Sequence, residues 1–490
     1  MRVCIISDTL VTQEPRVLRQ IRTFRDRGWQ ISVAGYPGSL PVPADWDFHD
    51  LTLPPPVESV AAEPQAQTVV SAGFPKNLPD HFTQREPSNG LEKLGSFLFW
   101  RLLVPLRRAL STLGNRLRSR NAVEAASVVP DETAEVTAQN SLDAGALVAA
   151  LLDLPVPRAI TLDEARAIFY REPKHLYFRD VMAPRFPPAD LIIAHDYHVL
   201  PLADDLAQSR GTPIVFDIHE YAVEQYPLSA GTPEHRYFGH VTRPMIDAFH
   251  RHYFGRIRAA SCVCESIANQ VAQDYALPKA PAVVRSTPFF TEQPFRPTGP
   301  MIDVMYHGLV NPTRHLEIGV RSLALWRPEF RFTIRGPGPE SYIAHLKELA
   351  RELGVEDRLA IKPPVPFHDL IPTANKADIG YLAFMNYSRQ RQFASPNKFF
   401  EYIMAGLAMA VMDVPELAPV VTSHRNGAVI SDFTPEDIAR CINSFDAARI
   451  DACKKASLEL AKELCWEREQ ARMIEAYGLA ELESALASKE

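Results

Sequence analysis

No run of this 490-residue chain reaches the roughly 18 apolar residues that a helix needs to cross a bilayer. A membrane span is not expected. No secretory leader is expected either, because Met1 leads straight into the short strand-like run Val3–Ile6. Cysteine is sparse. Cys4, Cys262, Cys264, Cys441, Cys453 and Cys465 are scattered, with neither a disulfide framework nor a metal pattern, and a reducing cytosol is the natural setting. Positive charge is not in excess. The 52 Lys and Arg against 59 Asp and Glu leave a net charge of −7, which argues against a general nucleic-acid binder. What the chain has in plenty is proline, 42 residues, pointing to many loops and breaks. At this length two or three hydrophobic cores are expected.

Short apolar runs alternate with helical spacing. Arg2–Asp8 reads as a strand, Glu14–Arg27 as a helix stopped by Gly28, and Ile31–Gly35 as a second strand. Leu191–Ala194, Ile214–Ile218 and Ala259–Cys264 continue the strands. The alternation restarts at Asp303 with Val304–Tyr306, Phe332–Ile334, Leu359–Ile361, Ile379–Leu382, Met409–Met412 and Ala428–Ile430. Two β/α runs predict an α/β protein of two doubly wound, Rossmann-like domains facing a cleft, with ligands beyond the carboxyl ends of the strands. The first domain is expected over 1–287, a proline-rich linker over 288–300, and the second domain over 301–465. A terminal helical segment follows over 466–490.

Residues 55–165 read as a partly helical insertion in the first domain. Residues 55–90 are rich in Pro, Ala, Gln and Ser, and 121–157 contain no Lys or Arg, so both are expected to be loosely ordered or peripheral. Between them Leu91–Arg120 keeps apolar residues at helical spacing and carries seven basic side chains against Glu92, with Trp100 among them and Pro105 as a kink. It reads equally as a helix for an anionic membrane surface and as a helix packed on the first sheet.

The most informative stretch is Ser395-Pro396-Asn397-Lys398-Phe399-Phe400-Glu401-Tyr402-Ile403-Met404-Ala405-Gly406. It reads as a helix start with Ser395 as cap and Pro396 at the first helical position. Such a start suits a phosphate, Lys398 adds a charge, and Glu401 shares the lysine's face. A cation for a diphosphate beside a carboxylate for a ribose diol is the apparatus of a nucleotide-sugar site.

This segment resembles the donor-site helix of glycosyltransferase family 4, retaining enzymes of the two-Rossmann-domain GT-B type. The resemblance continues upstream through Asp303–Arg314, Phe330–Pro339, Asp357–Leu359 and Ala377–Leu382, and in the first half through Met1–Gly38 and Ala189–Thr287. Residues 55–170 lie outside it. It implies the GT-B fold, transfer of a sugar from a nucleotide diphosphate sugar to a glycan or lipid-linked acceptor, and no metal or other cofactor. A cytoplasmic location is expected, with Leu91–Arg120 at the inner face of the cell membrane, in bacterial surface polysaccharide or glycolipid synthesis. The resemblance also implies a terminal helix that crosses back to the first domain.

The candidate residues follow. Without a metal, cations and helix ends must stabilise the departing diphosphate, and Arg314 and Lys398 are the choices. Gly308, Gly336 and Gly338 would allow close backbone approach, and Ser395, Asn397 and Glu401 complete the expected donor set. By the resemblance Glu401 is the second glutamate of a pair separated by seven residues, accepting from the ribose. The first would fall at Phe393, so the usual carboxylate partner of the sugar is missing. His219 matches the family's cleft histidine and is the third catalytic candidate. On the acceptor side stand His195, Asp196, Glu220 and Arg16. His195 and Asp196 would orient an acceptor or cap the following helix; Arg16 would face a phosphate or an anionic acceptor, or start the helix as a solvent-facing residue. No protein nucleophile is evident, and the resemblance implies front-side attack with the leaving phosphate taking the acceptor proton. A nucleotide-sugar epimerase on the same fold, or a catalytically silent membrane-surface scaffold, are the rival readings.

Overall fold

The computed structural model describes residues 1–38, 41–52, 143–208, 210–226 and 231–488. The basic segment Leu91–Arg120 and the stretch 55–90 lie outside them.

The first sheet has seven strands. β1 (Arg2–Leu10), β2 (Gln30–Tyr36) and β3 (Asp47–Asp50) come from the first 50 residues, and β4 (Leu191–His195), β5 (Ile214–Ile218), β6 (Ala259–Cys262) and β7 (Ala282–Val283) from beyond the insertion. They pair in parallel in the order β3-β2-β1-β4-β5-β6-β7. The second sheet takes β8 (Ile302–His307), β9 (Phe330–Arg335), β10 (Leu359–Lys362), β11 (Ile379–Leu382), β12 (Ala408–Met412) and β13 (Gly427–Ile430) in the order β10-β9-β8-β11-β12-β13. Helices cover both faces, so central strands such as β4, β5, β8 and β12 are buried along their whole length and read as unbroken apolar runs. The expected two-domain doubly wound architecture is the observed one.

Strand order reverses direction between β1 and β4 in the first sheet and between β8 and β11 in the second. Those switch points open a crevice at the carboxyl ends of the strands, and both crevices belong to one compact unit built from Met1–Leu53 and Leu142–Glu490. Residues 284–299 join the sheets without helix or strand. The helix Trp466–Ala476 returns to the first sheet. Trp466, Met473 and Tyr477 are buried with Val3, Ile5, Ile21 and Phe24, and Trp466 Nε1 donates to Thr23 Oγ1 at 2.9 Å.

Two expectations need correction here. The last part of 121–157 is not loosely ordered. Ala144–Asp153 is a helix capped by Asp143, and Val148 and Leu151 are buried against Ile168 and Val241. Its Ala and Leu content is strongly helix-forming, which outweighs the lack of Lys and Arg. The strand predicted over Ala259–Cys264 ends at Cys262, because Cys264 already caps the helix Glu265–Asp274.

Candidate functional site

Beyond β8 three loops of the second domain meet. Gly308 has φ +127, and a Cβ on it would lie 3.1 Å from Lys398 Nζ. A Cβ on Gly336 would fall 1.8 Å from the Gly308 carbonyl oxygen, so the loops after β8 and β9 touch backbone to backbone. Gly338 is a correction. The space beside it is taken by the Val310 carbonyl, 1.9 Å from a Cβ placed there, so its smallness serves loop packing and not ligand approach.

The helix Asn397–Met404 points its start at the same place. Pro396, not Ser395, occupies the cap position, and no side chain caps the helix. The expected Ser395 cap fails because Pro396 is extended (ψ 145°) and stands outside the first turn, which puts Ser395 one residue too early. Ser395 lines the cavity instead, with Asn397. The first amides of the helix keep no intrahelical partner, and the positive end of the dipole faces the opening.

Glu401 is 6% exposed, and its Oε2 accepts from His307 Nε2 at 2.7 Å. Burial alone would raise its pKa, but the His307 hydrogen bond and the charges of His307, Arg19 and Lys398 outweigh that and hold it below the usual range. The glutamate is therefore ionised and oriented, with one oxygen left to accept from a ligand. Lys398 lies with Nζ 4.1 Å from the centre of the Tyr306 ring. Burial, and then the positive charges of Arg314 and Arg391, push its ammonium down to about 7 despite Glu401. Arg314 has a buried Nε without a partner. Neither Arg314, Lys398 nor Arg391 makes an ion pair with any described residue. A cavity of about 800 Å³ is lined by Gly308, Arg314, Gly336, Asn397, Lys398 and Glu401 from the second domain and by His219 and Glu220 from the first.

The first domain contributes differently. At the end of β5, Asp217 is fully buried and accepts from Arg16 Nε at 2.7 Å, Arg16 Nη2 at 2.6 Å, Gln20 Nε2 at 2.7 Å and Ser261 Oγ at 2.7 Å. Arg16 is 1% exposed, and its remaining Nη1 donates to the Val284 carbonyl at 2.6 Å. Both earlier readings of Arg16 are thus corrected. It neither receives an acceptor anion nor faces solvent, because Asp217 takes its guanidinium. His195 is 1% exposed, and burial drives its pKa to about 3, so it is neutral. Its Nδ1 lies 2.9 Å from His219 Nε2. His195 supports His219 from below and does not reach an acceptor. Asp196, at φ 63°, accepts from the His219 amide at 2.8 Å and places Oδ2 3.5 Å from His219 Nδ1. It caps no helix by its side chain, and it orients His219 rather than an acceptor. Burial opposes charge on His219, but Asp196 and Asp217 outweigh it and raise its pKa to about 9. His219 is then an imidazolium at neutral pH, a hydrogen-bond donor and not a base. Glu220 is exposed at the cavity wall.

His195, Asp217 and His219 offer ligand atoms within 4.8 Å of one another. Arg16 already neutralises Asp217 with two hydrogen bonds, so a cation placed there would sit beside a guanidinium, and the residues do not fit a metal.

Four contributors escaped the sequence reading. His307 and Tyr306 stand in the first motif of the second domain, but only the fold brings them to Glu401 and Lys398. Arg391 lines a second cavity of about 340 Å³, together with His219, Arg314 and Lys398. Arg19, one turn after Arg16, is 3% exposed with an unpartnered Nη2, and it and Glu401 line one cavity of about 300 Å³. Phe393, standing where a carboxylate was expected, turns to the first domain and packs against Tyr221 with ring centres 5.6 Å apart.

Residues 302–445 match the family of glycosyl transferases group 1. No curated protein matches the chain. Among solved structures, HepE of Anabaena in complex with UDP and glucose aligns over 97% of this chain and 98% of its own, at 11% identity and a TM-score of 0.53. A structure described as trehalose-6-phosphate from E. coli bound with UDP-2-fluoro glucose aligns over 97% and 99%, at 11% identity and a TM-score of 0.52. At those identities the likeness is one of fold. Residues 302–445 are thus similar to the glycosyl transferases group 1 family, and the whole chain shares the two-domain GT-B fold of these structures.

Proposed function

We propose that this protein is a retaining, metal-independent glycosyltransferase that moves a sugar from a nucleotide diphosphate sugar to a glycan or lipid-linked acceptor. The observation that carries the reading is the convergence of Arg314, Lys398 and an uncapped helix start on one cavity, beside the ionised Glu401 held by His307. A diphosphate leaving group gains negative charge as the glycosidic bond breaks. Preorganised cations and amide dipoles stabilise that charge with little reorganisation. Lys398, near neutrality in the empty site, takes up a proton when the diphosphate binds. Glu401 offers its free oxygen to the ribose hydroxyls. The imidazolium of His219 sets positive charge beside the sugar or the developing phosphate oxyanion. The leaving phosphate accepts the acceptor's proton, so no protein base is needed. That HepE and the E. coli protein were solved with UDP ligands supports a nucleotide in this cleft. No helix among the described residues is long and apolar enough to cross a membrane, and the proposed surface attachment rests on Leu91–Arg120 alone.

The test is a thermal-shift screen of the purified protein with UDP, GDP, ADP, CMP and dTDP and their sugars, all with EDTA present. Ligand binding to the native state raises the melting temperature by mass action. A shift with one nucleotide family supports the donor site, and its persistence in EDTA supports metal independence. No shift with any nucleotide or nucleotide sugar would sink the reading.

A further inference from the structure

We propose that the sugar end of this cleft takes an anionic group carried by the substrate, and that Arg391 selects it. The proposal rests on the nucleotide-sugar reading above and names the substrate class that the site prefers.

The sugar end is a cavity of about 340 Å³ whose wall includes His219, Glu220, Arg314, Arg391, Lys398 and Phe393. A diphosphate linkage brings about two negative charges, and Arg314 with Lys398 matches them. Arg391 remains. The imidazolium of His219 is already matched by Asp196 and Asp217, whereas Arg391 has no carboxylate within ion-pair reach among the described residues. Glu220 is the single acid on this wall; desolvation in the cleft and Asp196 raise its pKa, against His219, Arg391 and Arg314. With an uncharged sugar Arg391 would be enclosed without a directly bonded partner as substrate displaces water, an arrangement that costs free energy. An anion on the substrate supplies that partner.

Local geometry favours the same conclusion. The short helix Arg389–Gln392 is tied to the first domain, because Gln390 Oε1 accepts from the Tyr221 amide and the Cys264 thiol donates to the Phe393 carbonyl at 3.4 Å. Phe393 turns its ring away against Tyr221. Arg391 is left with the Tyr387 ring, 5.7 Å from its Cζ, as its side-chain neighbour and with its donors open to the cavity. Where the resemblance led one to expect a carboxylate for neutral hydroxyls, the fold presents a guanidinium, whose planar fork matches a carboxylate or phosphate in two hydrogen bonds. The anion can be a carboxylate on the donor sugar or an acidic group on the acceptor.

Calorimetric titration separates these sources. In the first arm, matched neutral and carboxylate donors (UDP-glucose with UDP-glucuronate, GDP-mannose with GDP-mannuronate) are titrated into the wild type, Arg391→Gln and Arg391→Lys. The expected result is at least tenfold tighter binding of the carboxylate member, lost in Arg391→Gln and partly kept in Arg391→Lys. In the second arm, glucuronate and glucose 6-phosphate are titrated into protein saturated with the nucleotide it binds. Binding that disappears in Arg391→Gln assigns the anion to the acceptor. Nucleotide binding with no dependence on Arg391 in either arm overturns the proposal and leaves the donor site standing. Absence of nucleotide binding in the wild type overturns the donor site itself, and the proposal with it. Arg391 makes no ion pair, so equal melting temperatures of the three proteins are expected and show that the fold is intact.

Discussion

Charge is arranged in opposite ways on the two sides of this cleft. On the first domain, Arg16 and Asp217 are 1% and 0% exposed and bind each other twice, with Gln20, Ser261 and the His195–His219 pair closing the network. On the second domain, Arg314, Lys398 and Arg391 line the cavities with no carboxylate at ion-pair distance among the described residues, Glu401 and Glu220 acting on them only from further off. Paired charge makes a wall, whereas unpaired charge makes a receptor. The first is a self-satisfied scaffold that aims one imidazolium, and the second is a set of cations that the proposed anionic ligand would pair.

Four experiments break or sharpen that contrast. The largest effect is expected from Arg16→Met, which leaves Asp217 buried without its counter-ion. A loss of about 3–5 kcal/mol of stability is expected, read as a lower urea midpoint, and a change below about 1 kcal/mol would deny that the pair is structural. The second is Lys398→Met, which removes an unpaired cation. Its stability should hold or rise slightly, because a desolvated charge disappears, while nucleotide-sugar affinity falls by about 10- to 100-fold, the worth of one or two charge-assisted hydrogen bonds.

The third is a pH titration, and the signs differ between the sides. His219 has a folded pKa of about 9, above its ordinary 6.5. Its contribution to stability is full below 6.5 and is lost as pH rises through 9; His219→Gln should flatten that alkaline decline. Lys398 is depressed from 10.5 to about 7. The unfolded chain then binds more protons between pH 7 and 10.5, so this group makes stability rise with pH across that window. For a diphosphate the sign reverses. The anion prefers the protonated lysine, so affinity should fall as pH rises above 7. Calorimetry at pH 8 in two buffers of different ionisation enthalpy should show proton uptake, and identical heats would contradict it. The smallest effect belongs to Ser395→Ala. A capping serine would cost about 1 kcal/mol on removal, but an uncapped start predicts less than about 0.5 kcal/mol in melting experiments.

Much of this was legible beforehand. The period of the apolar runs announced both sheets, because parallel strands covered on two faces must be apolar throughout; the expected strands differ in their bounds by a few residues at most, whereas the short edge strands β3 (Asp47–Asp50) and β7 (Ala282–Val283) were not expected. The helix Asn397–Met404 was legible as a local pattern from Asn397 to Glu401. Arg16 was not, because its partner lies 201 residues away in sequence. His307 went unremarked for the same reason, since Glu401 lies 94 residues further on. The helix Ala144–Asp153 was hidden by composition, as the absence of Lys and Arg drew more notice than its helix formers.

By itself, then, the order of residues determined the architecture and the kind of chemistry. Strand and helix periods, glycine turns and the run from Ser395 to Gly406 are local signals, and local sterics and hydrogen bonding decide them. Only the tertiary structure decided which charges are paired. Whether an arginine holds a fold together or waits for a ligand depends on what lies within about 4 Å of it, the ion-pair range, inside which burial multiplies the Coulomb energy. In Arg16 and Arg314 the same side chain ends in different settings, because the fold brought Asp217 to one and left the buried Nε of the other without a partner.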